Sequence, residues 1–203
     1  MTIRGVLWDF GNTLADQDWL LQPLDCAPDW AQVWTEIARG SQEEAWYRNE
    51  VTCVEIVARV AECLGLPDQT VLDHVRDCCT RVTFFPGTLQ IAKDLQLPQA
   101  LVTVNSDIFS ESVVPHYRLD ALFPVIVTSW EERTVDKGAL CLAAIRRWEQ
   151  PLPPEEVLLI DNTASALEAW ERAGGQTYLY RGEEQFLSDL DGGLRELKES
   201  TSR

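Results

Sequence analysis

Gly5-Val-Leu-Trp-Asp-Phe-Gly-Asn-Thr-Leu14 is the stretch that decides the fold. After Arg4 it is an uncharged apolar run ending in a carboxylate, which predicts a buried strand. Gly11-Asn12 then stops the strand with residues that tolerate unusual backbone angles. Asp9 is thereby placed at the carboxyl end of a buried strand, where open α/β sheets gather their ligands and chemistry. A capping role in the next turn is the other reading of the same carboxylate.

Forward from that strand, residues 15–29 are rich in Asp, Gln and Pro and read as an irregular linker. Helical periodicity follows. Trp30, Val33, Trp34 and Ile37 recur at i, i+3, i+4 and i+7, and Val54, Val57, Val60, Ala61 and Leu64 continue the theme until Gly65-Leu66-Pro67. Val71, Val75, Cys78, Cys79 and Val82 make a third stripe. Phe84-Phe85-Pro86-Gly87 marks a change, and a helix through Ile91 and Leu95 leads to a β-branched strand at 100–104 with the turn Asn105-Ser106-Asp107 behind it. Further strands are predicted at 124–128, 157–160 and 177–180, and helices at 108–114, 138–148 and 164–173. A last amphipathic helix runs through Phe186, Leu187, Leu190 and Leu194.

Continuous apolar strands separated by amphipathic helices predict a parallel sheet covered on both faces. The expected class is α/β: a Rossmann-like core of residues 1–16 and 84–203, interrupted by a small helical-bundle cap of residues 17–83. The first strand must rejoin the later ones in one sheet. The cap would therefore lie over the strands' carboxyl ends and cover Asp9, where it can exclude water from a reacting centre.

Composition narrows the function classes. A 203-residue chain that is 45% hydrophobic and 25% charged has ample material for a core. Its net charge of −16 repels phosphate backbones and anionic lipid, which argues against nucleic-acid or membrane-surface partners. A small phosphorylated substrate would be repelled too, unless its site supplies local positive charge. Six cysteines stand in no CxxC spacing and read as free, mostly buried thiols. With no leader or bilayer-length apolar run in the sequence, a cytoplasmic location is expected.

Three strand ends converge under this reading, carrying Asp9, Asn105 with Ser106, and Asp161-Asn162-Thr163. Lys137 joins them at a helix start behind Asp136, a good N-cap, with Arg133 nearby in the same loop. Two carboxylates and an ammonium at one sheet edge suit magnesium and phosphate. His74 and His116 read as structural or surface residues, and the eight tryptophans as mostly core, with Trp19 and Trp30 kept open as substrate contacts.

As a set, these motifs resemble the haloacid dehalogenase (HAD) superfamily, in the branch with a helical cap between its first and second motifs. The resemblance rests on Trp8-Asp9-Phe10-Gly11-Asn12-Thr13-Leu14, Phe85-Pro86-Gly87, Val104-Asn105-Ser106, Lys137-Gly138 and Val157-Leu-Leu-Ile-Asp161-Asn162, in that order along nearly the whole chain. It implies Asp9 as the nucleophile that takes the phosphoryl group. It also implies Mg²⁺ held by Asp9, the Gly11 carbonyl and Asp161, with Lys137 steadying Asp9 and the phosphate. Phe10, Asn105 and Ser106 would line the phosphate, the first two through backbone amides.

Departures from the pattern carry as much information. The second aspartate that usually protonates the leaving group is Gly11, the usual Thr or Ser of the second motif is Val104, and the second acid of the last motif is Asn162. Thr103 is one place off and faces the other way on a strand. A missing general acid forfeits about 10²–10⁴-fold in rate, least for good leaving groups. Asp16 or Asp18 could substitute if the following loop folds back. The leading expectation is a Mg²⁺-dependent phosphatase of a small metabolite. The alternatives are a catalytically silent binder of a phosphorylated ligand or protein, and a metal-free 2-haloacid dehalogenase, which Asp161 and the lack of an aromatic at position 11 disfavour.

Overall fold

In the computed structural model, which describes residues 2–192, the opening stretch forms β1 (Gly5–Trp8), buried throughout. It is joined by β2 (Gln99–Thr103), β3 (Val125–Thr128), β4 (Val157–Asp161) and β5 (Gln176–Leu179). All pairings are parallel, in the order β3-β2-β1-β4-β5. Alternation explains the unbroken apolar runs. Val6, Trp8, Leu101, Leu158 and Ile160 point into one apolar cluster, while Leu7, Ala100, Val102, Val157 and Leu159 point into another. Both faces are covered, so neither parity of residue can be polar.

Between β1 and β2 the chain is helical. Its elements are α1 (Trp30–Glu36), α2 (Glu43–Tyr47), α3 (Cys53–Leu64), α4 (Asp68–Cys79) and α5 (Pro86–Asp94). Thr52 and Glu55 form a reciprocal capping box at the start of α3, and Gly65, at φ 66°, ends it in the left-handed region. Helix α3 buries Ile56, Val57, Val60 and Ala61 against α4. The expected linker is more ordered than its composition suggested. A 3₁₀ turn at Gln17–Leu21 buries Trp19 and Leu20, and Trp30 Nε1 donates to the Leu20 carbonyl at 3.0 Å. Helix α1 runs on into a wide π turn at Ile37–Ser41, and α2 follows. Helix α2 was not legible because a five-residue helix is too short to show a period.

After β2 come a π turn (Phe109–Val113), α6 (Val114–Tyr117) and α7 (Leu119–Leu122). Then α8 (Ser129–Glu132) follows β3, α9 (Lys137–Arg147) precedes β4, α10 (Ala164–Arg172) links β4 to β5, and α11 (Glu183–Gly192) follows. Helices α9 and α10 cover one face of the sheet, while α5 and α11 pack together. Phe186 and Leu190 of α11 are buried and Leu187 is exposed; the expected contribution of Leu194 lies outside the described residues. Among the described residues no helix is long and apolar enough to cross a membrane.

Candidate functional site

From β1 the chain steps to β2 and β3 on one side, then returns to β4 and β5 on the other. The reversal falls between β1 and β4, the point where open α/β sheets leave a crevice outside the strands' carboxyl ends. Asp9 follows β1 and Asp161 ends β4, and the Asp9 amide donates to the Ile160 carbonyl at 3.0 Å. The two carboxylates are therefore neighbours. Behind Asp9 the chain turns tightly, with the amides of Thr13, Leu14 and Ala15 converging on the Phe10 carbonyl at 3.3, 2.9 and 3.0 Å. Asn12 takes the left-handed conformation at φ 55°, which its short polar side chain tolerates.

Lys137 begins α9, where the Asp136 side chain caps the amides of Gly138 and Ala139. Gly138 is required for close helix approach: a Cβ there would stand 2.7 Å from the Ala169 carbonyl oxygen of α10. The buried Lys137 ammonium sits 2.6 Å from Asp9 Oδ1 and 2.8 Å from Asp161 Oδ2. Burial pushes the Asp9 carboxyl up to about 6, Lys137 opposing and Asp161 adding to the rise. Burial alone would lower the Lys137 pKa, but Asp9 and Asp161 hold it above the usual lysine range. One ammonium between two carboxylates leaves the trio net negative.

These groups open into a cavity of about 580 Å³. The strand ends and the turns after them supply Asp9, Gly11, Asn105, Ser106 and Asp161, and the start of α9 supplies Lys137, so the geometry brings the sequence-predicted residues together. Phe10 also borders it, although its ring is buried against Phe84 and Phe109. Several expectations need correction. The Asn105 amide, expected to face phosphate, is bonded to Ser129 Oγ at 2.9 Å, and the Ser106 amide is bonded to Asn105 Oδ1 at 3.0 Å. Thr103 and Val104 both border the cavity. Trp19 lines it, but Trp30 is spent in the interior against His74 and Trp34. Neither Asp16 nor Asp18 lines it: Asp16 accepts from the Asp18 amide, and Asp18 pairs with Arg39 at 2.6 Å.

Gln17 stands between those two acids and does line the cavity. Its Cβ would be 3.2 Å, and its Oε1 3.9 Å, from a Cβ built on Gly11. The Gln17 Cβ thus crowds the place where the usual second aspartate would begin, with the neutral amide oxygen in ordinary contact beyond it. Arg39 donates to the Gln17 carbonyl at 2.7 Å and holds that turn in place. Arg39, Glu43, Tyr47, Trp34 and Trp46 complete the cavity from the helical segment, and Arg172 adds a second guanidinium from α10. Sequence reasoning missed these residues, although Arg39, Glu43 and Tyr47 share an i, i+4 spacing that could have drawn attention.

The donor set fits a small hard cation. Asp161 Oδ2 is buried and meets no aligned hydrogen-bond donor, despite the nearby ammonium. Magnesium takes one or two carboxylates and fills its remaining positions with water and phosphate oxygens. Among the described residues no cluster of three or more His, Cys, Asp or Glu could hold a metal, so the protein's own carboxylates here number two, Asp9 and Asp161.

No family model and no curated relative matches the chain. Solved structures do. A predicted HAD-like family hydrolase from Porphyromonas gingivalis superposes with a TM-score of 0.68 at 17% identity, over 96% of this chain and 99% of that one. A HAD family enzyme from Bacteroides thetaiotaomicron, in complex with magnesium and inorganic phosphate, gives 0.64 at 15% identity over 89% and 96%. L-2-haloacid dehalogenase from Xanthobacter autotrophicus gives 0.65 at 18% identity over 98% and 88%. The chain has the HAD-like α/β fold.

Proposed function

Starting from that fold, we propose that this protein is a Mg²⁺-dependent phosphomonoesterase of a small metabolite, acting through an aspartyl-phosphate on Asp9. The observation that carries the reading is the trio of Asp9, Asp161 and Lys137 at the sheet's switch point, drawn together within 2.8 Å contacts at the base of a cavity. Asp9, the Gly11 carbonyl and Asp161 would hold Mg²⁺, which when bound supplies positive charge to the transferring group. Lys137 orients Asp9 through Oδ1, leaving Oδ2 for attack on phosphorus. The Asn105 side chain, rather than its occupied amide, faces the phosphate along with Ser106. Lys137, Arg39 and Arg172 bring cationic side chains to the cavity, but Lys137 is paired with Asp9 and Asp161 and Arg39 with Asp18, so a bound cation would supply the further positive charge that a phosphate needs.

Residues 17–83 serve as a cap in this reading, and the interior of the cell is the working compartment. With Gly11 in place of the usual acid, good leaving groups such as acyl, aryl and sugar-1-phosphates are favoured. The fold is shared with a dehalogenase as much as with a magnesium–phosphate complex, so the distinction rests on Asp161, a second buried carboxylate beside Asp9.

Purified protein and its Asp9→Asn variant are assayed with acetyl phosphate and p-nitrophenyl phosphate, with Mg²⁺ and with a chelator. Turnover that needs both the cation and Asp9 is expected. Metal-independent chloride release from 2-chloropropionate would point instead to dehalogenation. Absence of turnover, with thermal stabilisation by Mg²⁺ plus phosphate, would point to a silent binder.

A further inference from the structure

Four carboxylates border the cavity: Asp9, Asp161, Asp136 and Glu43. Three are committed. Asp9 and Asp161 pair with Lys137, and Asp136 accepts from the amides of Gly138 and Ala139 at 2.9 and 3.3 Å. Glu43, half-buried in the first turn of α2, engages in no ion pair among the described residues, and its hydrogen bond is a long one donated by the Tyr47 hydroxyl at 3.4 Å. Gln17 occupies the space beside Gly11, but an amide has no proton to give at neutral pH. Asp16 and Asp18 are turned to other partners.

Displacement at phosphorus is in line, so the leaving oxygen departs on the side away from the attacking Asp9 oxygen. Asp9 rises from the strand ends; Glu43 comes from the helical segment, which walls the cavity beyond them together with Arg172 of α10. We infer that Glu43 supplies the general acid and base that position 11 lacks, which extends the enzyme to phosphates of poor leaving groups. This inference rests on the phosphatase reading above and names the part of the substrate range that Glu43 controls.

The steps balance within the chain. As Asp9 Oδ2 forms its bond to phosphorus, the bond from phosphorus to the ester oxygen breaks and leaves its electron pair on that oxygen. The oxygen takes the proton of the Glu43 carboxyl, and an alcohol departs. Water then enters from the vacated side and gives a proton to the Glu43 carboxylate as its oxygen bonds to phosphorus. The bond to Asp9 breaks, and free carboxylate and inorganic phosphate result. Burial raises the Glu43 pKa, Tyr47 and Arg39 opposing, so the resting group retains its proton more readily than an exposed glutamate would.

The test compares wild type, Glu43→Gln, Glu43→Asp and Asp9→Asn in Mg²⁺ with glycerol phosphate and acetyl phosphate. Glu43→Gln should lose about 10²–10⁴-fold in kcat/KM on glycerol phosphate. With acetyl phosphate it should release a normal burst of acetate and then accumulate phosphorylated protein, visible by intact mass, because water is no longer activated. Glu43→Asp should recover part of both losses. An equal fall on both substrates without phosphoprotein, or no fall on either, overturns the role of Glu43 and leaves the phosphatase reading standing. Wild-type turnover that survives Asp9→Asn, or no wild-type turnover at all, overturns both.

Discussion

Removing the Lys137 ammonium leaves Asp9 and Asp161 as adjacent buried carboxylates with no counter-charge. Losing one partner of a buried ionic group costs about 3–5 kcal/mol, because the charge left behind has lost both water and its partner. Lys137→Met preserves most of the side-chain volume, so in urea unfolding without divalent cations its loss of stability reports charge and not packing. Added Mg²⁺ should then raise the midpoint of Lys137→Met more than that of wild type, since the cation replaces the missing positive charge. Equal shifts in the two proteins would mean that no cation binds between these carboxylates. Asp9, Asp161 and Lys137 were legible in the sequence because each is pinned to the end of a regular element. Gln17 and Glu43 were not. Their places depend on a 3₁₀ turn and on a π turn, whose geometry no periodicity reveals.

At the scale of elements, one buried carboxylate ties two helices of the helical segment to the end of β2, beside the bond from the Val82 amide to the Tyr117 hydroxyl at 2.8 Å. Asp107, just beyond β2, is buried and accepts from Trp46 Nε1 on α2 at 2.6 Å and from the Cys53 amide that opens α3 at 2.7 Å. Its Oδ1 also accepts from the Ile108 amide at 2.8 Å. Each buried donor left unpaired costs about 1–3 kcal/mol, so Asp107→Ala should lose about 3 kcal/mol in urea unfolding. Asp107→Asn, which retains one acceptor oxygen, should lose less. Limited proteolysis of Asp107→Ala should cut first between residues 17 and 79; cleavage elsewhere first would show that the contact does not hold the segment down. The sequence marked Asp107 only as part of a turn, because its partners are 61 and 54 residues away. The five strands were readable within a residue or so at their ends, as their alternate residues feed two apolar clusters and leave no polar parity to confuse the pattern.

For the molecule as a whole, the question is whether the helical segment and the sheet open together or apart. Lids often occupy the low-stability end of a protein. Here one apolar cluster runs from Trp8, Phe10 and Leu14 at the sheet to Trp34, Ile56 and Val60 in the helices, so the two share a core beside the cavity that lies between them. The cysteines report on this directly, because the thiolate is the reactive form. Burial pushes the thiols of Cys78, Cys79 and Cys141 up to about 11, 12 and 12, and drives Cys53 up as well, whereas Cys26 and Cys63 are exposed. A colorimetric thiol reagent should therefore titrate Cys26 and Cys63 rapidly in the native protein and all six only in strong denaturant. In graded urea, Cys53, Cys78 and Cys79 of the helical segment should become reactive at the same midpoint as Cys141, which packs on the opposite face of the sheet. Reaction of the first three ahead of Cys141 would show a cap that opens as a separate unit. In Asp107→Ala, where the fastening is cut, that separation is the expected result, and the gap between the two midpoints measures how much of the molecule's cooperativity passes through a single buried carboxylate.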